Sequence, residues 1–227
     1  MSKVVHPYAH RLVTLRDWKS RWFADKKYKT LLQSDVVIRE FLVKKLRGFY
    51  ISRIEIERSA KATKVMVYTS RPGMIIGRSG EGVSKLKLEL VAALKKKAIA
   101  IPEDFKFDIV EVTNPDADAA IVAYSIAEGL EKRLPFRRVM KQAIEKVMSA
   151  RSVKGARIYL GGRLAGAEIA RSEELKRGSI PLQTFRADID FAREKAHLSY
   201  GDIGIKVWIY RGEVFDKDKN LSKTSPR

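Results

Sequence analysis

The sequence predicts an α+β protein with two domains, and three observations support this prediction. Stretches in which apolar and polar residues alternate, as in strands, recur along the chain between stretches with helical spacing. The predicted elements follow the order α-β-β-α-α-β-α, then one more helix and then mainly strands. With 227 residues, of which 45% are hydrophobic, the chain can form one or two buried cores. We expect the domains to join near residues 134–152.

The first domain is predicted to open with a helix and a pair of strands. Ser34 or Asp35 is expected to cap a helix over 35–47, because short polar side chains accept hydrogen bonds from the free amides at a helix start. Alternation of apolar with polar residues then predicts strands over 51–58 and 63–69.

The remainder of the first domain is predicted to be a helix, a strand and a second helix, preceded by a short apolar turn at 74–76 that counts as an additional α element in the order above. Apolar residues at helical spacing predict the first of these helices over 82–97, and alternation predicts a strand over 105–113. The turn residues 114–116 lead into a helix with apolar residues at every fourth position. Pro135 ends that helix, because the residue before a proline disfavours helical geometry.

The second domain is predicted to start with a helix over 136–150 and to continue mainly as strands. The tail from residue 213 is polar, and we expect it to fray. The strands of this domain are predicted over 157–164, 166–173, 184–191 and 203–210.

The charge distribution predicts an anionic partner. The chain has 46 Lys and Arg against 27 Asp and Glu, a net charge of +19. Residues 1–33 hold 8 basic and 2 acidic residues, and residues 132–177 hold 13 basic and 4 acidic residues, so two segments carry most of the excess. Clustering of this kind favours a nucleic-acid surface over a merely solvated basic face.

Composition argues against several other classes of protein. The absence of cysteine excludes a disulfide framework, a thiolate metal site and a cysteine nucleophile. Three histidines are too few for a histidine-rich metal site. No apolar run approaches the ~18 residues of a membrane span, and the first thirty residues lack the apolar core of a signal peptide. We therefore expect a soluble intracellular protein with no membrane contact, no cofactor and no bound metal.

A glycine-rich loop at residues 76–83 precedes the predicted helix over 82–97. A Walker loop would need lysine where Val83 stands, and no register of the glycines gives a dinucleotide fingerprint. The GxxG clamp of a KH domain fits, because two glycines let the main chain approach phosphates and the next helix offers its first amides. The residues of this candidate RNA-binding clamp are Gly77, Arg78, Ser79 and Gly80.

The helix after Pro135 carries three cations beside an apolar stripe. With ~100° per residue, Arg137, Arg138 and Lys141 fall within about 100° of one another on the helical wheel. Cations held on a packed helix lose little entropy on binding and can contact successive phosphates without reading bases. They could instead be ion-pair donors on an ordinary amphipathic helix, where Glu145 could neutralise one of them.

A series of motifs occurs in order along nearly the whole chain, and through it the chain resembles a known family. That family is small-ribosomal-subunit protein three in its bacterial form, also called universal ribosomal protein family three. The motifs are Val5-His6-Pro7, Trp22-Phe23-Ala24, Arg71-Pro72-Gly73 with Ile76-Gly77 and Gly80, Pro135-Phe136-Arg137-Arg138-Val139-Met140-Lys141, Gly162-Arg163-Leu164 with Gly166-Ala167-Glu168-Ile169-Ala170-Arg171, Arg186-Ala187-Asp188-Ile189-Asp190, and Gly204 with Lys206-Val207-Trp208-Ile209.

The resemblance implies a type II KH domain (α-β-β-α-α-β) followed by a β-rich α+β C-terminal domain. We expect an extended N-terminal arm over 1–33, the KH RNA-binding domain over 34–134, the C-terminal domain over 135–212 and a flexible tail over 213–227. Three departures from the family pattern leave its framework intact: Arg78-Ser79 stands where two lysines are common, Gln142 replaces a frequent basic residue, and Gln183 replaces a frequent histidine.

The function implied by the resemblance is that of a structural, non-enzymatic constituent of the head of the small ribosomal subunit. Its implied partners are small-subunit ribosomal RNA and messenger RNA, with Arg137, Arg138 and Lys141 lining the channel through which messenger RNA enters. Implied neighbours are small-subunit proteins ten and fourteen in the head, and four and five at the channel. Further candidate contacts to ribosomal RNA are Lys3, His6, Arg11, Arg163, Arg171 and Arg177.

Two other functions remain as alternatives. The first is a stand-alone KH-type RNA-binding regulator, against which the basic, aromatic-rich arm over 1–33 argues. The second is a metal-dependent nuclease that uses Asp188 and Asp190, which share one face of a predicted strand. Nearby Arg186 and Arg193 favour an ordinary surface strand with alternating charge over a metal site.

Overall fold

The computed structural model describes residues 5–24, 26–59, 62–97, 99 and 104–215, and within them the chain forms two units. The glycine-loop unit is Trp18–Thr113, and the basic-helix unit combines Met1–Asp17 with Asn114–Arg227. In chain order the helices and strands are α1 (Pro7–His10), β1 (Ser20–Arg21), α2 (Tyr28–Lys45), β2 (Ile51–Arg58), β3 (Ala62–Thr69), α3 (Pro72–Ile76), α4 (Glu81–Lys96), β4 (Asp104–Glu111), α5 (Ala119–Glu131), α6 (Phe136–Ser149), β5 (Gly155–Gly162), β6 (Arg171–Gly178), β7 (Ala187–Leu198) and β8 (Gly201–Glu213).

The glycine-loop unit is a four-stranded sheet with two long helices. Its strand order is β1-β2-β3-β4, with β2 and β3 antiparallel and β4 parallel to β3. Helices α2 and α4 pack into the same core as the sheet, through side chains such as Ile38, Leu42, Leu90 and Leu94. The order α2-β2-β3-α3-α4-β4 confirms the predicted α-β-β-α-α-β arrangement.

Helix α2 begins earlier than predicted, at Tyr28, and the expected cap at Ser34 or Asp35 is wrong. Asp35 is only 2% exposed and lies inside the helix. Its carboxylate accepts hydrogen bonds from Trp22 Nε1 (2.8 Å) and Arg58 Nε (2.8 Å). A buried carboxylate requires such partners, so the role of Asp35 is to hold β2 and the segment before α2 against the helix.

The basic-helix unit is an antiparallel sheet of order β6-β5-β8-β7 with two helices on one face. Helices α5 and α6 bury one core together with the strands, through residues such as Ala123, Ile126, Ile144, Ile158 and Ile205. Because α5 shares this core, the predicted domain boundary at residue 134 lies one helix too late.

Two strands of this unit are displaced from the predicted positions. A 3₁₀ turn occupies Leu164–Gly166, so β6 begins later than the strand predicted over 166–173. Strand β7 extends well beyond the predicted 184–191, because it pairs with β8 along a long hairpin. A bulge after Asp188 shifts the alternation of side chains, which the sequence pattern did not reveal.

The N-terminal segment over 5–17 is not an extended arm, because it contains α1 and packs against β7 within the basic-helix unit. Arg11 is 0% exposed, and its guanidinium donates hydrogen bonds to the carbonyl oxygens of Ala187 (2.6 Å), Leu182 (2.9 Å) and Thr184 (3.0 Å). Burial lowers the pKa of Arg11 from its ordinary value, and the nearby carboxylate of Asp188 opposes this shift. The prediction that Arg11 contacts ribosomal RNA is therefore wrong, because the side chain has no accessible surface.

Part of the sequence prediction falls outside the described residues. The candidate contact Lys3 lies there, and so does the predicted tail from residue 216 onwards. Among the described residues, no helix is both long and apolar enough to cross a membrane.

We predict that Arg11→Ala lowers the free energy of unfolding by about 3 kcal/mol or more, because several buried carbonyl groups lose a charged donor. Urea-induced unfolding followed by circular dichroism measures this loss. Arg151→Ala is the matched control: Arg151 is exposed, and surface substitutions of this kind usually change stability by less than about 0.5 kcal/mol. Equal effects of the two substitutions would contradict a structural role of Arg11.

Candidate nucleic-acid interface

The glycine loop joins α3 to α4 through two residues in left-handed backbone geometry. Gly77 has φ +68° and Gly80 has φ +78°, a region that residues with a Cβ adopt only with strain. Residues 78–80 form a 3₁₀ turn, and α4 begins directly after it. The glycines are therefore required by the turn itself, and the turn brings the loop backbone to the start of a sixteen-residue helix.

The loop presents features that suit an anion. Arg78 is exposed and forms no ion pair with any of the described residues. Gly80 at the N-cap of α4 has no side chain that could cap the first amides of the helix. Free amides and the helix dipole attract negative charge at such a position. The GxxG segment thus has the geometry of a phosphate-binding loop.

Helix α6 carries its three predicted cations on its solvent side. Val139, Met140, Ile144 and Val147 are buried, whereas Arg137, Arg138 and Lys141 are exposed. Cations in the first turn of a helix oppose its dipole, typically at a cost of about 0.3–1 kcal/mol each at the surface. Helix stability therefore does not explain the two arginines of the first turn.

One of the three cations has an internal partner that the sequence analysis missed. Arg137 Nη2 lies 3.1 Å from Glu173 Oε1 on β6, and Arg171 Nε lies 3.9 Å from the same oxygen. The ring of Phe136 lies 5.6 Å from the Arg137 guanidinium and 5.9 Å from that of Arg171. Glu145, the acid that could have neutralised one of these cations, takes no part in the contacts, which instead join α6 to the edge strand.

Charge pairing is reflected in the pKa values at this cluster. The hydrogen bond from Arg137 lowers the pKa of Glu173, with the positive charges of Arg137 and Arg171 adding to the effect. The same hydrogen bond raises the pKa of Arg137. Glu173 is therefore ionised at neutral pH and balances a single positive charge. Arg138 and Lys141 have no acidic partner among the described residues.

Two further candidate RNA contacts have partners within the chain. His6 caps α1, where its Nδ1 accepts a hydrogen bond from the Tyr8 amide (3.2 Å), and its ring meets Phe191 edge-on at 4.8 Å. Arg163 donates to the carbonyl oxygens of Ala167 (2.9 Å) and Tyr200 (3.2 Å). Both side chains brace local structure, although both residues remain exposed.

The remaining candidates lie on the edge strand β6. Arg171 and Arg177 both project to the α6 side of β6, since they alternate in phase with Leu175, which packs against the core. Arg177 is exposed and has no ion-pair partner among the described residues. The tertiary structure thus brings Arg171 beside Arg137.

Asp188 and Asp190, the two aspartates of the nuclease hypothesis, form ion pairs and hydrogen bonds within the chain. Asp188 pairs with Arg16 at 2.6 Å, and Asp190 Oδ2 accepts from Arg211 (3.0 Å) and from the amide of Ala119 (3.0 Å). The described part of the chain contains no group of three or more His, Asp or Glu residues arranged to hold a metal ion. The geometry favours the structural interpretation of this pair.

Comparison with known proteins extends this picture to the whole chain. Two family models match: "KH domain" over residues 37–117 and "Ribosomal protein S3, C-terminal domain" over residues 126–209. The chain is 47% identical to small ribosomal subunit protein uS3 of Clostridium botulinum (strain 657 / Type Ba4) over 224 residues, covering 98% of this chain and 97% of the relative. The chain belongs to the uS3 family.

Relatives from other bacteria also match along nearly the whole chain. The uS3 protein of Enterococcus faecalis is 44% identical over 98% of this chain and 99% of its own length, and that of Pelotomaculum thermopropionicum is 45% identical over 100% and 95%. The predicted family and the fold class, a KH domain followed by a second α+β domain, are confirmed. Membership in a family of ribosomal proteins also supports the expectation that the chain is not an enzyme.

We predict that Glu173→Gln raises the affinity of the chain for RNA about two- to fivefold, because Arg137 and Arg171 lose a competing anion at an exposed site. Fluorescence anisotropy with a labelled RNA measures the change. Glu145→Gln is the matched control. It also removes one negative charge, from the exposed face of α6, but Glu145 forms no ion pair with these arginines. Equal gains in both variants would show a general charge effect and contradict the specific competition.

Proposed function

We propose that the chain is a structural constituent of the small ribosomal subunit in the cytoplasm, where it binds small-subunit ribosomal RNA. The observation that carries the proposal is 47% identity to a small-subunit protein along almost the full length of both chains. Exposed cations without acidic partners on the loop and on α6 supply the chemistry, which is neutralisation of phosphates. No catalytic step is needed for this role.

Messenger RNA is the second proposed ligand. Arg137, Arg138 and Lys141 line the channel through which messenger RNA enters, and they contact successive phosphates of the passing strand. The support is the placement of two arginines in the first turn of α6, where the helix dipole disfavours them, and the lack of an acidic partner for Arg138 and Lys141 among the described residues. The GxxG loop clamps a single-stranded backbone in the manner of KH domains.

A position in the head of the subunit and protein neighbours complete the proposal. The neighbours are small-subunit proteins ten and fourteen in the head, and four and five at the channel, as the family resemblance implies. One exposed face of α2 offers an apolar surface of the kind that protein partners cover. Its residues are Tyr28, Leu32, Val36 and Val43.

We predict that the chain sediments with small subunits and with whole ribosomes when a cell extract is separated on a sucrose gradient. Detection by immunoblot across the fractions measures this. Raising the salt concentration should release the chain together with other weakly held proteins, because phosphate contacts weaken steeply with salt. Recovery of the chain only in the fractions of free protein would favour the stand-alone regulator.

We predict that the combined substitutions Arg137→Ala, Arg138→Ala and Lys141→Ala slow translation through a stable message hairpin several-fold while ribosome assembly stays intact. The physical reason is the loss of phosphate contacts that hold the strand as it enters. In vitro translation of paired messages with and without the hairpin measures the effect. Unchanged rates on both messages would remove this role, and slowing of both alike would indicate a general defect.

A further inference from the structure

The sheet of the basic-helix unit has a second face, which α5 and α6 do not cover and against which α1 packs at β7. Inward residues such as Ile158 and Ile205 pack against the helices, so the alternate residues of each strand point to the opposite side. We call this side the outer face. Its central residues are Glu174 and Lys176 on β6, Arg157 and Tyr159 on β5, Lys206 and Trp208 on β8, and Arg193 and Lys195 on β7.

The strand register places the cations of the outer face next to one another. Lys176 lies opposite Arg157, and Lys206 lies opposite Arg193, with Lys195 two residues further along β7. Opposed residues in a sheet are about 5 Å apart and diagonal neighbours about 7–8 Å. Five cations therefore form a continuous diagonal band that crosses all four strands.

The acidic groups of this face neutralise only part of the band. Glu174 forms an ion pair with Arg157. Asp202 contacts His197, and its Oδ2 lies 4.0 Å from the Nζ of Lys195. Within the described residues, Lys176, Arg193 and Lys206 have no acidic partner, and all three are exposed.

An aromatic side chain lies inside the band. The Nζ of Lys206 is 5.3 Å from the centre of the Tyr159 ring, a cation–π contact that leaves its charge free to meet an anion.

The chemistry of the face suits a nucleic-acid backbone better than a protein. Gly161 pairs with Gly204, and the ring of Tyr159 lies close over Gly161, where a Cβ would come within 3.2 Å of it, so an aromatic surface faces a ligand beside the cations. Protein interfaces usually have an apolar core. Here the largest apolar side chain, Trp208, is only 8% exposed, because it packs in a small apolar cluster with Ile189 and Phe191. The cations of the band lie beside this cluster, and Lys176, Arg193 and Lys206 are exposed.

We propose that the outer face is a second RNA-binding surface, which takes a sugar–phosphate backbone along the diagonal cation band. The inference rests on the proposed function as an RNA-binding ribosomal protein, but on different residues. Helix α6 and the outer face lie on opposite sides of the same sheet. The basic-helix unit then holds two separate RNA segments, one on each side.

The test compares three variants of the full chain. The outer-face variant carries Lys176→Gln, Arg193→Gln and Lys206→Gln, and the α6 variant carries Arg137→Ala, Arg138→Ala and Lys141→Ala. The control variant removes three exposed lysines of the glycine-loop unit, through Lys44→Gln, Lys87→Gln and Lys96→Gln. Anisotropy with a labelled oligouridine and with a labelled RNA duplex, at salt concentrations between about 50 and 200 mM, gives affinities and their salt dependence.

The outer-face variant should bind at least one of the two probes more weakly than the control variant does. Three lost phosphate contacts flatten its salt dependence, so that the parent chain loses about 20- to 40-fold more affinity than the variant over this range of salt. Which probe is affected identifies a single strand or a duplex as the ligand. Restoring the charges through Lys176→Arg, Arg193→Lys and Lys206→Arg should restore binding, which excludes a folding defect as the cause.

Equal binding by the outer-face and control variants overturns the inference. If only the α6 variant loses affinity, the proposed function stands and the second surface does not. If only the outer-face variant loses affinity, the second surface stands and the role of α6 fails. Binding of polyglutamate as tightly as RNA would assign the face to an acidic protein and would also overturn the inference.

Discussion

The central constraint on this protein is that its excess positive charge must be held in place without being neutralised internally. With 46 basic and 27 acidic side chains, a fold that paired every acid would still leave many cations without partners. Both units meet this constraint in the same way, by burying the apolar side of each helix or strand and leaving the cations on the other side. Burial of the apolar cores thus stabilises the folded state against the mutual repulsion of the cations, which favours less compact states.

The acidic side chains are placed where they fix geometry. Asp35 holds Arg58 in the interior, Asp188 holds Arg16, and Asp190 holds Arg211 together with the start of α5. Each of these contacts joins two different elements of one unit. The cations that remain on α6 and on the outer face of the sheet are consequently supported by a rigid frame, and a rigid cation loses less entropy when it meets a phosphate.

Arginine has three different roles in this chain, and residue type alone does not distinguish them. Arg11 is a buried cross-link that binds only carbonyl groups, Arg137 is exposed but shared with a carboxylate, and Arg78 is exposed without an acidic partner among the described residues. Arginine suits all three because its five donors can satisfy several acceptors at once and it keeps its charge when buried. Only the third kind keeps its full charge available to an anionic ligand.

The sequence by itself determined the order of elements from α2 onwards, the loop glycines and the family. The spacing of apolar residues and the residue types of turns are local properties of the sequence. The bounds of α4, β2 and β3 were therefore predicted within one residue at each end. The cations beside the apolar stripe of α6 also followed from helical spacing alone.

Only the tertiary structure decided which unit α5 joins, that Arg11 is buried and that Arg137 meets Glu173. The partners concerned lie 36 residues apart for Arg137 and 176 residues apart for the bond from Arg11 to Ala187. No periodicity of the chain encodes a contact over such distances. Such a contact forms only when strands pair in a particular register, because the register decides which side chains lie on each face of the sheet.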